Sequence, residues 1–173
     1  MVPGSVDLPA ASGGPDRELR APSHVVTIGQ AGWRKGWDRA VAAAHELARR
    51  RPDVSWEWIG EAPRSEWLDA HGVSQPLTRH EALADPWSAA GSPAGMVIVS
   101  REDPMPLVAL EAGARGIPLL ATRTGGLPDL LGDGRGLLVE GADLEGLVTG
   151  VMELIDDPSA ATERASRLEA EVR

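Results

Sequence analysis

The sequence predicts a doubly wound α/β fold, in which a parallel sheet carries helices on both faces. Short apolar runs alternate along the chain with segments that carry a helical stripe of apolar residues, an order typical of strand–helix–strand units. The run at 96–99, Met-Val-Ile-Val, is continuously apolar, as expected of a strand that is covered on both faces. No internal repeat or second domain is evident, so we expect one Rossmann-like domain.

The first half of the chain provides a linker, two strands and one long helix. Residues 1–22 are rich in Pro, Gly, Ser and Ala without periodicity and are predicted to be an inter-domain linker, whereas 23–173 form the domain. Apolar runs predict strands at 24–28 and 54–59, and each run ends at a glycine. Between them, apolar residues at helical spacing predict a helix over 36–51, which a proline ends.

In the rest of the chain, the periodic spacing of apolar residues is weak in the middle and clear towards the end. In the middle, two short helices are predicted near 65–70 and 80–89, with a weak strand around Val73. Towards the end, strands and helices alternate clearly again. We predict strands at 96–99, 117–121 and 136–139, and helices at 106–115, 127–131, 143–156 and from 159 to the end.

The composition restricts the classes of function. The 26 acidic residues exceed the 17 Lys and Arg residues, and a net charge of −9 disfavours a nucleic-acid partner, because phosphate contacts need a basic face. Cysteine is absent, which excludes disulfides and thiolate metal sites, and the four histidines are scattered. No apolar run approaches the roughly 18 residues of a membrane-spanning helix, and the first five residues do not resemble a signal peptide. We therefore expect a cytoplasmic protein with neither a membrane span nor a metal.

Lys35 is the only lysine, in a chain that otherwise uses arginine as its cation. This bias indicates a GC-rich coding sequence in which arginine usually stands where lysine would serve. A lysine kept under such pressure is a candidate for chemistry that needs a compact ammonium rather than a planar guanidinium. The alternative is a surface lysine present by chance.

Ligands of open parallel sheets bind at the carboxyl ends of the strands, so the loops that follow the strands are the candidate sites. The loop at 29–36, Gly-Gln-Ala-Gly-Trp-Arg-Lys-Gly, leaves a strand and enters a helix. Arg34 and Lys35 place two cations beside a helix N-terminus, which costs stability unless an anion lies between, and this indicates a phosphate. The alternative is a solvated loop. The glycine spacing matches neither a Walker P-loop nor the G-x-G-x-x-G dinucleotide motif.

The loop after the Met-Val-Ile-Val strand also leads into a helix. Backbone amides at the helix start, near Met105 and Leu107, are expected to be free to bind an anion. Asp103 precedes the helix and Glu111 lies within it, a spacing suited to two contacts with one long ligand. The alternatives are that Asp103 is an N-cap and that Glu111 is an exposed helix residue. A glycine pair in the loop at 122–129 is a weaker signal, since ordinary turns look the same.

These segments resemble the C-terminal domain of the family 4 retaining glycosyltransferases, whose two domains form the GT-B fold. That family's signature is an acidic residue, seven others and a glutamate. The matching segments are 29–36, similar to the family's phosphate loop ending in Lys-Gly; 100–112, Ser-Arg-Glu-Asp-Pro-Met-Pro-Leu-Val-Ala-Leu-Glu-Ala; 116–122, Gly-Ile-Pro-Leu-Leu-Ala-Thr; 125–129, Gly-Gly-Leu-Pro-Asp; and 136–139, Gly-Leu-Leu-Val. The resemblance spans about 24–158, is most specific over 95–140, and implies a single C-terminal GT-B half domain.

The resemblance implies a role for each matching residue. Lys35 would neutralise the diphosphate of a nucleotide-sugar donor, and Asp103 would hold the hydroxyls of the donor sugar. These two are the candidate catalytic residues. Glu111 would hold the ribose of the nucleoside. The backbone near three further residues would face sugar and phosphate, although the proline has no N–H to offer: Met105, Pro106 and Leu107.

Two positions depart from the family pattern. Gln30 stands where the family usually has an arginine after the first loop's glycine. Arg34 is the candidate to replace the charge of that arginine. Both Gln30 and Arg34 are predicted donor-binding residues. Ala94 stands where the family usually has an aspartate before the signature strand. Weaker donor binding is expected from these changes.

The implied reaction moves a sugar from a UDP or GDP donor to an acceptor with retention of configuration, and it uses no cofactor. Lys35, with Arg34 and a helix N-terminus, would stabilise the leaving diphosphate. In this family the acceptor is bound by an N-terminal GT-B domain, which is absent from this sequence, and both termini look truncated. We therefore expect that domain as a partner in cis or in trans, and we expect the isolated chain to be inactive without it.

Three other interpretations compete with this one. The chain could be a non-catalytic pseudo-glycosyltransferase or a split-enzyme subunit that docks onto a separate N-terminal partner. It could be a nicotinamide-binding Rossmann domain, but it lacks G-x-G-x-x-G and an acidic residue at the end of the second strand. It could be a GT-B epimerase, whose motifs differ from those found.

Overall fold

The computed structural model describes four stretches of the chain and places them in one sheet with helices on both faces. These stretches are residues 24–61, 77–81, 83–141 and 143–173. Three predicted features lie outside the described residues: the linker at 1–22, the short helix near 65–70 and the weak strand around Val73.

The sheet contains six parallel strands. They are β1 (His24–Ile28), β2 (Ser55–Ile59), β3 (Leu77–His80), β4 (Gly95–Ile98), β5 (Leu119–Thr122) and β6 (Leu137–Val139). Their spatial order is β3-β2-β1-β4-β5-β6, and every neighbouring pair is parallel. The chain builds outwards from β1 to β3 and then returns to the other side of β1 to add β4. This topological switch between β1 and β4 confirms the predicted doubly wound fold.

Helices cover both faces of the sheet. The described helices are α1 (Trp37–Arg50), α2 (Pro86–Ala90), α3 (Leu107–Ala114), α4 (Leu127–Leu131), α5 (Leu144–Asp156) and α6 (Pro158–Val172). Successive strand residues point to opposite faces, so Val97 packs with α1 and α5, whereas Met96 and Ile98 pack with α3 and α4. No helix within the described ranges is long and apolar enough to cross a membrane.

Most predicted elements lie within two residues of those in the structure, but the helix predicted near 80–89 is confirmed only towards its end, and its predicted start is wrong. His80 is the last residue of β3, and the helix is the shorter α2, which begins at Pro86. The carboxylate of Asp85 caps α2 by accepting the backbone N–H groups of Trp87 and Ser88. The Asp-Pro pair is a helix-start signal, because aspartate favours the N-cap and proline the first helical position.

Candidate functional site

Two loops meet at the carboxyl edge of the sheet, one joining β1 to α1 and the other joining β4 to α3. Across this junction, Nζ of Lys35 donates a 2.5 Å hydrogen bond to Oδ2 of Asp103. The side chain of Asp103 is 10% exposed and that of Lys35 is 34% exposed, so the ion pair is partly shielded from water. The structure therefore brings together the two predicted catalytic residues, at the switch point where doubly wound sheets bind ligands.

Gly36 allows the first loop to approach the end of β4 closely. It is the N-cap of α1, and its φ of +72° lies in the left-handed region. An added Cβ would lie 2.0 Å from the carbonyl oxygen of Val99, so a larger residue would displace the loop. The backbone N–H of Arg101 also donates to the carbonyl of Arg34, at 2.8 Å. These contacts hold Lys35 over the end of β4.

A second ion pair, which the sequence analysis missed, braces the same two loops. Arg101 donates through both terminal nitrogens to the two carboxylate oxygens of Asp38 on α1, at 2.6 Å each. One of these nitrogens also donates to the carbonyl of Trp33, at 2.9 Å. The hydrogen bond from Arg101 lowers the pKa of Asp38, although burial of the carboxyl group acts in the opposite direction. The bidentate geometry fixes the relative position of the loops more firmly than a single contact would.

The glycine pair at 125–126 supports the loop that carries Asp103. Gly125 has a φ of +51°, and an added Cβ would lie 1.9 Å from the carbonyl oxygen of Asp103. The N–H of Gly126 donates to the carbonyl of Pro104 at 2.7 Å, and Oγ1 of Thr124 donates to the carbonyl of Arg101 at 2.9 Å. The loop between β5 and α4 thus packs against the loop that carries Asp103, and this contact gives the glycine pair a structural role.

The first turn of α3 lacks a side-chain cap. Its N-cap is Pro106, which makes no capping hydrogen bond, so the alternative that Asp103 caps this helix is wrong. By contrast, aspartate carboxylates cap α2, α5 and α6. The side chains of Met105 and Leu107 beside Pro106 are exposed, by 40% and 70% respectively. An uncapped helix start with solvent access retains backbone N–H groups that can donate hydrogen bonds to an anion.

Glu111 lies on α3 one turn beyond this helix start. It is exposed, and its Oε2 accepts a 2.7 Å hydrogen bond from the indole Nε1 of Trp87. Val108, three residues earlier on the same helix face, lines a small cavity together with Lys35. Although α1 and α3 pack on opposite faces of the sheet, Lys35 and the face of α3 that carries Glu111 therefore border the same edge.

Gln30 and Arg34 occupy different positions in the first loop. Gln30 is exposed, and its Nε2 donates to a carboxylate oxygen of Glu61 at 3.1 Å. The side chain of Arg34 is exposed and makes no hydrogen bond or ion pair with the residues that the structure describes. Among the described residues, the guanidinium of Arg34 therefore has no partner, whereas the amide of Gln30 is engaged with Glu61.

The acidic and imidazole side chains at this edge do not form a metal-binding cluster. Within the described residues, no group of three or more His, Asp or Glu side chains is close enough to hold a metal ion. Of the predicted site residues, this edge carries the ammonium of Lys35 and the guanidinium of Arg34, together with the carboxylate of Asp103 before α3 and that of Glu111 within α3.

The fold is that of a half domain of GT-B glycosyltransferases. A family model described as glycosyl transferases group 1 matches residues 22–157, and the chain belongs to this family. This confirms the resemblance on which the implied residue roles are based.

Two of the curated relatives of the chain are bacterial glycosyltransferases. One is the GDP-mannose-dependent α-(1-6)-phosphatidylinositol monomannoside mannosyltransferase of Mycolicibacterium smegmatis, 33% identical over 148 residues, which are 74% of this chain and 37% of the relative. Another is the D-inositol 3-phosphate glycosyltransferase of Arthrobacter, 34% identical over 161 residues, 86% of this chain and 38% of the relative. The chain spans little more than one third of the length of these relatives.

Solved structures share the fold. Anabaena HepE in complex with UDP matches with a TM-score of 0.72 and 22% identity, over 88% of this chain and 44% of HepE. The C-terminal domain of a group 1 glycosyl transferase, LpcC of Francisella tularensis, matches with a TM-score of 0.70 and 23% identity, over 87% of this chain and 85% of that domain. The second match covers most of both chains because that structure consists of the C-terminal domain alone.

Proposed function

We propose that this chain is the donor-binding half of a retaining glycosyltransferase that moves a sugar from UDP or GDP to an acceptor. The observation that carries the proposal is the contact between Lys35 and Asp103 across the switch point. A cation for a diphosphate and an acid for sugar hydroxyls are thereby adjacent at the edge where this fold class binds nucleotides.

The proposed residues follow the order of the groups in a nucleotide sugar. Asp103 precedes α3, the amide-bearing start of the helix comes next, and Glu111 lies a turn further along. We assign the sugar hydroxyls to Asp103, the diphosphate to the helix start with Lys35, and the ribose to Glu111. One extended ligand along α3 can satisfy all three contacts.

The chemical step that this arrangement serves is cleavage of the bond between sugar and diphosphate. Negative charge builds up on the leaving diphosphate, and preorganised donors lower the barrier most when they point at that charge. We assign this role to the ammonium of Lys35, the guanidinium of Arg34 and the first amides of α3. Asp103 is the partner of Lys35 while no donor is bound, and it is released for the sugar when the diphosphate takes the ammonium.

The acceptor side of the reaction is assigned to a second domain, in cis or in trans. Because the chain matches little more than one third of the length of its relatives, the groups that flank the sugar from the other side are assigned to that domain. We expect the isolated chain to bind donor weakly and to transfer sugar very slowly or not at all. Rapid transfer by the isolated chain to a sugar acceptor would contradict this expectation.

A non-catalytic role is the second candidate, and the state of Gln30 favours it. A glutamine bonded to Glu61 supplies no charge to a diphosphate, so the site has one fewer cation in the first loop than the family pattern implies. Such a chain could serve as a pseudo-glycosyltransferase or as a subunit of a split enzyme.

Calorimetric titration with UDP and GDP separates the two candidates. The proposed function predicts that one of the two binds, and that uridine and guanosine, which lack the diphosphate, bind much more weakly. Absence of heat with both nucleotides would overturn donor binding and leave the non-catalytic interpretation.

A further inference from the structure

Trp87 makes a contact with Glu111 that no motif accounts for. The indole Nε1 of Trp87 donates to Oε2 of Glu111 at 2.7 Å, from α2 to α3. The ring is half-buried and packs against the apolar core on this face of the sheet. The backbone N–H of Trp87 is held by the carboxylate of Asp85 at 3.1 Å. The backbone and the indole ring of Trp87 are therefore both held in place before a ligand binds.

The exposed Arg115 contacts both Trp87 and Glu111. Its guanidinium carbon lies 4.7 Å from the centre of the Trp87 ring, within the range of a cation–π contact. Its Nη1 also donates to the carbonyl of Glu111 at 3.1 Å, one helical turn back. The indole ring thus contacts both the protein core and a guanidinium, and its N–H donates to one carboxylate oxygen.

The contact leaves most of the carboxylate available. An indole N–H is a donor only, whereas an ionised carboxylate offers about four acceptor positions on its two oxygens. With one position of Oε2 occupied, the second oxygen can still accept from a hydroxyl group. Glu111 is exposed and would otherwise sample many rotamers, so fixing it in advance reduces the entropy lost when a ligand binds.

We infer, on the basis of the proposed function, that Trp87 is a positioning residue which orients the carboxylate of Glu111 towards the ribose hydroxyls of the donor nucleotide. Arg115 acts with it by holding the plane of the indole ring. Trp87 does not itself contact the diphosphate or the transferred sugar in this arrangement. Its loss therefore weakens recognition of the ribose hydroxyls and leaves the other contacts of the nucleotide intact.

The test combines a change in the protein with a change in the ligand. Trp87→Phe keeps a flat apolar ring and removes the N–H donor. Binding of UDP or GDP, whichever the wild-type chain prefers, and of its 2′,3′-dideoxy analogue is measured by calorimetry for the wild-type chain, W87F, E111A and the double variant. We expect W87F to weaken binding of the natural nucleotide by about tenfold, as for the loss of one charge-assisted contact. Binding of the dideoxy analogue is expected to be unchanged, and W87F is expected to have no further effect in the E111A background.

A spectroscopic signature tests the contact between Trp87 and Glu111 itself, without a ligand. The chain has six tryptophans, so a ¹⁵N–¹H spectrum contains at most six indole signals, and W87F identifies the one from Trp87. In the chain with Glu111→Ala, that signal is expected to move upfield because the hydrogen bond is lost. An unmoved signal would show that the contact is absent in solution and would overturn the inference.

The outcomes distinguish a failure of this inference from a failure of the proposed function. If W87F weakens the natural nucleotide and the dideoxy analogue equally, or leaves both unchanged, Trp87 does not act through Glu111 and the inference is wrong while donor binding stands. If the wild-type chain binds neither UDP nor GDP, the proposed function is overturned and the inference falls with it.

Discussion

Lys35 and Asp103 are 68 residues apart in the chain, yet their side chains are joined by a 2.5 Å hydrogen bond. Lys35 is the only lysine of the protein, and it reaches across the switch point of the sheet to an acid that is 10% exposed. Each residue is the other's partner in the absence of a ligand. A diphosphate must therefore compete with Asp103 for the ammonium, and this competition has measurable consequences.

Replacing Lys35 with alanine is expected to weaken binding of the preferred nucleoside diphosphate by about 10- to 100-fold, because one charge-assisted contact is lost. Lys35→Arg should keep part of the affinity, since the charge remains while the compact geometry changes. Arg173→Ala, which removes one exposed charge at the end of α6, is the matched control. Equal affinities for K35A and R173A would contradict the role assigned to Lys35.

Replacing Asp103 with asparagine is expected to act in opposite directions on two ligands. The variant removes the negative charge that holds Lys35, so affinity for UDP or GDP without a sugar should rise, by roughly threefold to tenfold. The extra affinity that the attached sugar provides should fall, because the carboxylate that accepts its hydroxyls is gone. Calorimetry with the nucleotide and with its sugar conjugate measures both. Weaker binding of the free nucleotide by D103N would show that the ion pair does not compete with the diphosphate.

Gly125→Ala is expected to destabilise the protein by more than about 1 kcal/mol, because a Cβ at positive φ would collide with the carbonyl of Asp103. Gly32→Ala is the matched control, since an added Cβ there has no atom within 4 Å. Urea unfolding of the two variants and the wild-type chain provides the comparison. Similar urea midpoints for G125A and G32A would mean that the glycine pair is not packed against the loop that carries Asp103.

The pair of Asp38 and Arg101 predicts a dependence of stability on pH. The folded state lowers the pKa of Asp38, so the unfolded chain binds the proton more readily at acid pH. The stabilisation by this pair is therefore complete above about pH 4, the ordinary range of an aspartate, and is lost as the pH falls through the lower folded value. Asp38→Asn should flatten the loss of stability that sets in below about pH 4 in thermal unfolding. An unchanged acid profile would show that the pair contributes nothing measurable.

The sequence was sufficient for five of the six strands that the structure describes, and for which loops meet at the carboxyl edge of the sheet. Helical and strand periodicities are local, so elements such as α4 and α5 could be predicted from their own residues. The convergence of the loops that carry Lys35 and Asp103 followed from the rule that parallel strands end at one edge. What could not be predicted was which side chains would pair there, because that depends on distances between elements far apart in the chain.

Three features show where sequence reasoning failed. The strand β3 is held by pairing with β2 rather than by its own residues, since Leu77 is its one buried position. The contacts of Arg101 with Asp38 and of Trp87 with Glu111 join helices and loops through tertiary packing. The start of α2, which was predicted too early, did have a local signal, because aspartate followed by proline marks a helix N-terminus.

A crystal structure of this chain with the nucleotide that binds more tightly, UDP or GDP, tests the central claim most directly. The account predicts a single nucleotide along α3, with a diphosphate oxygen within hydrogen-bond distance of Nζ of Lys35 and the ribose hydroxyls on the carboxylate of Glu111. A nucleotide bound elsewhere, or one that contacts only one of these two residues, would contradict it.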